Sequence, residues 1–168
     1  MTTTTIATRR ARAEDAFGIA AVHDASWRQA YGGIIPHKAL EAMVRRRGPA
    51  WWAKAVRNST RVLVMEAEGR IVGYATLGPN RVPALAQKGE IYELYLQPEY
   101  QGVGLGKQLF LAARQELAAS GMRDSLAWVL EDNAPAIRFY RNAGGLDVAE
   151  GTETFDGRTL NKLAFAFD

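Results

Sequence analysis

The spacing of apolar residues along the chain alternates between the periods typical of helices and of strands. Helical spacing runs from Glu14 to Ala30, and one face of that helix carries Ala16, Ile19, Ala20, His23, Trp27 and, just beyond it, Tyr31. The glycine pair 32–33 ends this helix. A second helical region covers about His37 to Arg57 and is broken at Gly48-Pro49. A weak alternation from Ile6 to Arg12 predicts a short first strand.

Strands are predicted in the middle of the chain, where short apolar runs are bounded by turn residues. Arg61 to Ala67 and Ile71 to Leu77 are two such runs, and the Glu68-Gly69 pair between them predicts a hairpin. The segment from Pro79 to Lys88 is polar and predicts a loop. Glu90 to Leu96 is the next predicted strand.

The second half of the chain alternates helices and strands. A helix is predicted from about Gly104 to Ala119, a strand from Ser125 to Leu130, and a short helix from Asn133 to Asn142. A hairpin around Asp156-Gly157 follows, with Leu160 to Phe167 as the last strand. Strand–helix–strand crossovers need parallel neighbours and hairpins need antiparallel ones, so the order predicts a mixed sheet with helices on both faces. The fold class is therefore α/β or α+β.

Composition places the chain among globular proteins. Its 168 residues and mass of 18.5 kDa predict a single domain over residues 1–168. A composition of 48% hydrophobic and 23% charged residues excludes disordered, collagenous and membrane-spanning proteins. The absence of cysteine excludes disulfides and thiolate chemistry. Because His23 and His37 are the only histidines, no metal site is expected.

Charge and targeting signals narrow the expected partners further. The net charge of +3 is too small for a nucleic-acid-binding surface and suits a small anionic ligand. No apolar run follows Arg9, Arg10 and Arg12, so neither a secretory nor a twin-arginine signal is expected. The expected location is the cytoplasm, and no membrane or nucleic-acid partner is predicted.

The most informative segment is a glycine cluster between the predicted strand 90–96 and the helix that follows it. Gly102, Gly104 and Gly106 alternate with other residues, and Lys107 comes next. Bare backbone N–H groups at a helix N-terminus form an anion site of the kind that holds a pyrophosphate. The spacing matches neither a P-loop nor a dinucleotide-binding fingerprint. From the spacing alone, a purely structural glycine turn remains the alternative.

Two motifs resemble those of the GNAT superfamily of N-acetyltransferases. The pattern Gln101-x-x-Gly104-x-Gly106, after a strand that ends in Leu94-Tyr95-Leu96, is similar to the acetyl-CoA loop of that family. Asn133-Ala-Pro-Ala-Ile-Arg-Phe-Tyr140, followed by Gly144-Gly145, resembles its second motif. The sequence departs from the family at Leu146, where a phenylalanine is usual. The likeness spans nearly the whole chain and is most specific between residues 90 and 145.

The resemblance implies both a fold and a cofactor site. The fold is a mixed, mostly antiparallel sheet of about seven strands flanked by helices, and strand 90–96 is splayed from strand 125–130. The pantetheine arm of acetyl-CoA is expected between those strands, on the backbone of Leu94 and Leu96, with the pyrophosphate on the N–H groups of residues 102–107. The implied cofactor-binding residues are Leu94, Tyr95, Leu96, Gln101, Gly102, Val103, Gly104, Leu105, Gly106, Lys107, Asn133 and Tyr140.

The resemblance also implies direct transfer of an acetyl group from acetyl-CoA to a primary amine, expected to be on a small molecule. Tyr140 is the predicted acid for the departing thiolate, with an aromatic core anchor as its alternative role. Glu93, a carboxylate in an otherwise apolar strand, is the predicted base; its alternative role is an exposed strand position. Glu90 is the second choice.

Acceptor specificity falls on less diagnostic residues. Trp27 and Tyr31 are the predicted substrate-binding pair, and a core-facing pair at this spacing is the alternative. Ribosomal-protein acetyltransferases of the family carry a catalytic glutamate where this chain has Trp128, which disfavours peptide N-termini; a protein amine acceptor stays open. A non-catalytic acyl-CoA binding or sensing module of the same fold is the rival function. The aromatic-rich helices and the C-terminal hairpin offer surfaces that a homodimer could use.

The remaining polar and aromatic candidates are assigned no chemistry. His23 is predicted to be packed or at the surface rather than a base, and His37 is predicted to be solvated. The run Arg45-Arg46-Arg47 predicts a solvated face, with contact to an acidic substrate as the weaker interpretation. The Trp51-Trp52 pair fits a core, a dimer contact or a pocket wall equally well.

Overall fold

The computed structural model describes residues 5–58 and 61–168, which form seven strands and five helices. In chain order these are β1 (Ile6–Arg10), α1 (Ala16–Tyr31), α2 (His37–Arg46), α3 (Pro49–Arg57), β2 (Arg61–Ala67), β3 (Arg70–Pro79), β4 (Gly89–Leu96), α4 (Leu105–Ala119), β5 (Ser125–Leu130), α5 (Ala134–Asn142), β6 (Leu146–Phe155) and β7 (Arg158–Phe167). The predicted elements are all present. No helix among the described residues is both long and apolar enough to cross a membrane.

The strands form one mixed sheet in the order β1-β2-β3-β4-β5-β7-β6. Neighbours are antiparallel except β4 and β5, which are joined through α4 and run parallel. The prediction of a mixed, mostly antiparallel, seven-stranded sheet is confirmed.

The crossover through α5 does not make β5 and β6 neighbours, because β7 inserts between them. β7 ends in Leu-Ala-Phe-Ala-Phe and buries its last four residues, whereas β6 is largely exposed. Placing the apolar strand inside and the polar strand at the edge removes more hydrophobic surface from water.

Helices cover the two faces of the sheet and bury separate clusters. On one face, α4 and α5 pack Leu109, Leu117 and Ile137 against Phe165 and the other apolar residues of the strands. On the opposite face, α1 and α3 pack around the fully buried Trp52. The two layers hold β4 between α1 and α4.

β4 and β5 separate soon after they begin to pair. They are in register only at Gly89–Ser125, Glu90–Leu126 and Ile91–Ala127. Just beyond, the register of β4 with β3 shifts by one residue, so that Tyr92 is extra. Such a bulge bends a strand, and the second half of β4 diverges from β5. The predicted splay between these strands is therefore present.

The entry to α1 is fixed by a charged cluster around Asp15. Its carboxylate accepts two hydrogen bonds from the Arg9 guanidinium, at 2.8 and 2.9 Å, and one from the backbone N–H of Arg12 at 2.7 Å. The hydrogen bond from Arg9 is the main cause of a pKa of Asp15 below its ordinary value of 3.8. Asp15 therefore joins β1 to α1 in its ionised form.

Replacing Asp15 with asparagine is expected to lower the free energy of unfolding by about 1–3 kcal/mol at pH 7, because it removes charge-assisted hydrogen bonds. A carboxyl whose pKa is lower in the folded chain stabilises the fold fully above its unfolded pKa and loses that effect as the pH falls through the folded value. Urea unfolding of both proteins from pH 7 downward should show the difference shrink below about pH 4. A difference that stays constant with pH would contradict this role for the ionised group.

Candidate functional site

A cleft of about 810 Å³ opens where β4 leaves β5. Its walls come from the C-terminal half of β4, the glycine loop with the start of α4, the α5 region, and the end of α1 with the loop after it. The residues that line it include Gln29, Leu94, Tyr95, Leu96, Gln101, Gly102, Gly104, Gly106, Lys107, Asn133, Phe139 and Tyr140. The cleft is the space between the splayed strands, where the sequence predicted a ligand.

The N-terminus of α4 presents backbone N–H groups that no side chain caps. Gly102 and Gly104 have φ angles of +79° and +85°, which L side chains rarely adopt. Gly104 is the N-cap and supplies no capping side chain, so the first N–H groups of the helix lack an intrahelical partner. The first turn contains no acidic residue and carries Lys107 instead. A cation there repels the positive end of the helix dipole, and a bound anion would offset that cost.

The predicted loop residues contribute to the cleft in different ways. Gln101, Gly102, Gly104 and Lys107 line it directly. Val103 is 69% exposed and is outside the lining, and the side chain of Leu105 is buried in the core.

Gly106 brings α4 into close contact with α5. A Cβ atom at Gly106 would lie 3.2 Å from Phe139. Phe139 lies on α5 and lines the cleft, so the absence of a side chain at Gly106 lets α4 approach the cleft wall.

Gln101 anchors the glycine loop to both neighbouring walls. Its side-chain amide donates to the backbone carbonyl of Leu96 at 3.1 Å and to the side-chain oxygen of Gln29 at 2.9 Å. Gln29 lies on α1 and itself lines the cleft. A polar residue at this position therefore fixes the loop relative to β4 before any ligand arrives.

The other end of the cleft is bordered by α5. Asn133 is the N-cap of α5, and its side chain accepts a hydrogen bond from the N–H of Ala136 at 3.4 Å. Tyr140 is 7% exposed, and its ring stacks on Phe165 at 6.3 Å between centroids. Among the described residues no partner donates to or accepts from its hydroxyl. Burial raises the pKa of Tyr140, so the phenol stays protonated at neutral pH.

An aromatic cluster lies behind the cleft wall, on the α1 side of β4. The rings of Trp27 and Tyr31 are 5.2 Å apart, and that of Tyr95 is 5.7 Å from Trp27. The hydroxyls of Tyr31 and Tyr95 are in contact. Tyr95 lines the cleft, whereas Trp27 and Tyr31, the predicted substrate-binding pair, do not line it themselves. Their position is one layer behind the wall.

Glu93 belongs to this aromatic side and is not among the cleft-lining residues. Both of its carboxylate oxygens are engaged: one is paired with Arg47, and the other accepts a hydrogen bond from the Tyr74 hydroxyl at 2.7 Å. Tyr74 is fully buried, and burial raises its pKa well above the ordinary value. The side chain of Glu93 is 12% exposed. The predicted base is therefore held as a charge-balanced carboxylate.

Glu90, the second choice for the base, is also paired. It is 1% exposed and binds the guanidinium of Arg81 at 2.7 Å and the backbone N–H of Arg81 at 3.1 Å. Arg81 lies over the ring of Tyr92 at 4.0 Å. This ion pair closes the loop between β3 and β4, away from the residues that line the cleft.

The histidines take no visible part in the cleft. His23 is fully buried against Trp27 and Trp52, and its pKa falls to about 4, chiefly because of burial and next because of the charge of Arg47. It is therefore neutral at pH 7. His37 is exposed, as predicted. Among the residues that the structure describes, no group of three His, Cys, Asp or Glu side chains could hold a metal ion.

Three residues contact predicted site residues without having been predicted as site residues themselves: Arg47, Tyr74 and Phe139. Arg45 and Arg46 are exposed as predicted, but Arg47 is partly buried, so the prediction of a solvated face is wrong for that residue. The only sequence signal was its place before the Gly48-Pro49 break, which ends α2 and turns the chain toward the sheet. Tyr74 could have been noticed as a polar hydroxyl in an otherwise apolar strand.

This chain is similar in sequence to known acetyltransferases. Residues 19–144 match the family model described as Acetyltransferase (GNAT) family. An uncharacterized N-acetyltransferase of Bacillus subtilis (strain 168), YuaI, is 32% identical over 96% of this chain and 92% of its own length. A spermidine N(1)-acetyltransferase of Thermoplasma acidophilum is 25% identical over 81% of this chain and 85% of its own length.

A solved structure has the same fold. The PaiA N-acetyltransferase of Thermoplasma acidophilum, determined in complex with coenzyme A, superposes with a TM-score of 0.76. The superposition covers 94% of this chain and 98% of that protein, at 23% sequence identity.

Proposed function

Because this chain belongs to the GNAT family of acetyltransferases, we propose that it transfers an acetyl group from acetyl-CoA directly to a primary amine of a small molecule. The observation that carries the proposal is the cleft between β4 and β5, which ends at the uncapped N-terminus of α4. An extended arm fits between splayed strands, and a pyrophosphate fits free N–H groups beside Lys107. One cleft therefore suits both ends of the same cofactor.

Leu94 and Leu96 would hold the pantetheine arm through backbone groups that β5 leaves unpaired. Gly102, Gly104 and Lys107 would hold the pyrophosphate. Their backbone N–H groups are oriented before binding, so little ordering entropy is lost on association. Acetyl-CoA, when bound, supplies an activated acetyl carbon and a thiolate leaving group.

Tyr140 is the proposed acid. A C–N bond forms at the acetyl carbon as the C–S bond breaks, and the sulfur leaves with the electron pair of that bond. Tyr140 lines the cleft, and burial keeps its phenol protonated at neutral pH; in the proposed step the hydroxyl donates its proton to the sulfur. The amine gives up a proton to regenerate the phenol.

Glu93 is the proposed base for the incoming ammonium. Amines are protonated at neutral pH and must lose a proton before they attack a carbonyl. Glu93 precedes Leu94 on β4, and its partner Tyr74 lies 5.8 Å from the cleft-lining Tyr95 between ring centroids. The carboxylate can accept that proton only when its bond to Arg47 is exchanged.

The small-molecule acceptor is supported by two features. The relative from Thermoplasma acidophilum carries the name of a polyamine acetyltransferase. Trp128 occupies the position where a catalytic glutamate would favour peptide N-termini, and its ring is covered by the amine of Lys162 at 4.8 Å.

The proposal is tested by following thiol release from acetyl-CoA with a panel of amines: a polyamine, an amino-acid amide, and a peptide with a free N-terminus. We expect turnover with at least one small amine and little with the peptide. Acetyl-CoA binding without thiol release for every amine would favour the rival sensing module. Turnover confined to the peptide would overturn the assigned acceptor class.

A further inference from the structure

The guanidinium of Arg47 occupies a cage of aromatic rings closed by one carboxylate. It lies 4.5 Å from the ring centroid of Trp51, 5.8 Å from Trp27 and 5.9 Å from Trp52. Its Nη1 donates to Glu93. We call the group formed by Trp27, Trp51, Trp52, Tyr74 and Glu93 the cation cage. Indole faces and a carboxylate together are the chemistry that recognises organic cations.

The cage requires a positive charge. Glu93 is largely buried beside the fully buried Tyr74, and removing the cation from a buried ion pair leaves an uncompensated charge that destabilises the fold. A cation inside the cage is therefore strongly favoured, and its identity is set by which cation can reach it.

The Arg47 side chain stays in the cage through its own contacts, because the residue lies just outside the helix α2. It is the residue that follows the last turn of α2, and its backbone N–H bonds to Val44 at 3.3 Å. Gly48 comes next, and the Arg47 side chain is 29% exposed. Its guanidinium can therefore rotate into solvent without breaking a helix.

The ring of Tyr95 lies between the cage and the cleft. Tyr95 lines the cleft, and its ring lies 5.7 Å from Trp27 and 5.8 Å from Tyr74. Glu93 directly precedes Leu94, which lines the cleft as well. A cation bound in the cage is thus one residue along β4 from the proposed path of the pantetheine arm.

We propose that the cation cage is the docking site for the ammonium group of the acceptor, and that Arg47 fills it until the acceptor displaces it. This inference rests on the proposed acetyltransferase function and adds a specificity-determining device to it. The acceptor ammonium replaces the guanidinium on Glu93, so the base becomes available only when an amine is present. Arg47 also keeps Glu93 charge-balanced between turnovers.

The first test needs no catalysis. Methylguanidinium is titrated into the Arg47→Ala variant while tryptophan fluorescence is followed, because three indoles line the cage. We expect Arg47→Ala to bind methylguanidinium saturably in the millimolar range and the unmodified protein not to bind it. Two control variants should not bind it either: Arg46→Ala, which alters the exposed neighbouring arginine, and Arg47→Ala/Glu93→Gln, which lacks the carboxylate. If Arg47→Ala does not fold, Arg47→Gln is used in the same titration. Equal responses by Arg47→Ala and Arg46→Ala would overturn the proposal.

The second test uses the amine found in the thiol-release assay. If Arg47 fills the cage in most molecules, the amine can bind only to the fraction whose cage is empty, and its apparent dissociation constant rises by the inverse of that fraction. Removing the Arg47 side chain should therefore lower KM for the amine by up to about tenfold. Methylguanidinium should then compete with the amine in Arg47→Ala. A higher KM in Arg47→Ala would overturn the proposal and show that Arg47 binds an anionic group of the acceptor. Since the methylguanidinium titration requires neither acetyl-CoA nor turnover, its outcome stays distinguishable from a failure of the proposed function.

Discussion

Tyr140→Phe is expected to lower kcat by about 10²–10⁴-fold while the acetyl-CoA Kd stays within about twofold of that of the unmodified protein. The substitution removes only a hydroxyl, and no described residue is hydrogen-bonded to it, so the ring can keep its contacts with Phe165 and Phe167. The variant loses a proton donor: burial raises the pKa of Tyr140, so its hydroxyl is protonated at neutral pH. Thiol release reports kcat, and calorimetric titration reports Kd.

The matched control is Tyr92→Phe. It removes a phenol hydroxyl that donates to the carbonyl of Pro79, outside the cleft lining. It should cost about 1 kcal/mol of stability and leave kcat unchanged. Equal kcat values for Tyr140→Phe and the unmodified protein would reduce Tyr140 to a core anchor. A parallel loss of kcat and of acetyl-CoA affinity would point to cofactor positioning instead of proton donation.

Gly104→Glu is expected to weaken acetyl-CoA binding by at least about 100-fold. A Cβ atom at Gly104 meets nothing within 4 Å, so the new side chain has room to enter the cleft that Gly104 lines. Its carboxylate then faces the place proposed for the pyrophosphate. Two like charges about 4 Å apart repel by about 4 kcal/mol near a protein surface, more than the 2.7 kcal/mol that 100-fold requires.

Backbone strain needs its own control, because Gly104 has a φ of +85°. Gly157, in the hairpin between β6 and β7, has a φ of +82°, and a Cβ atom there also meets nothing within 4 Å. Gly157→Glu therefore carries a comparable strain of about 1–2 kcal/mol without entering the cleft. We expect it to lower the Tm as much as Gly104→Glu does while keeping full affinity. Similar affinities for the two variants would refute the anion site at α4.

The sequence predicts most of the fold because its strands and helices carry clear apolar periods. The α4 helix and β4 come directly from their spacing, and the glycine loop between them marks the proposed anion site. The position of β7 was harder to foresee. A hairpin fixes that β6 and β7 pair, but only the burial of Phe165 and Phe167 decides which of the two strands joins β5.

The surroundings of Glu93, where we propose that the acceptor binds, were predicted less completely than the glycine loop, because they depend on contacts between distant segments. Glu93 is visible in the sequence as an isolated carboxylate, yet its partners Arg47 and Tyr74 come from a turn and another strand. Trp27 was predicted to bind substrate and lies in the cation cage behind the cleft wall. Periodicity assigns each of these residues to a helix or strand, and only tertiary packing brings their polar atoms together.

We expect acetyl-CoA to bind between β4 and β5 with its pyrophosphate on α4. Backbone amide NMR of the ¹⁵N-labelled protein titrated with acetyl-CoA tests binding and location together. We predict saturable shifts at Leu94, Leu96, Gly102, Gly104 and Lys107, with the distant turn at Gly157 unchanged. Absence of shifts at millimolar acetyl-CoA, or shifts that leave the α4 N-terminus unchanged, would rule out this binding site.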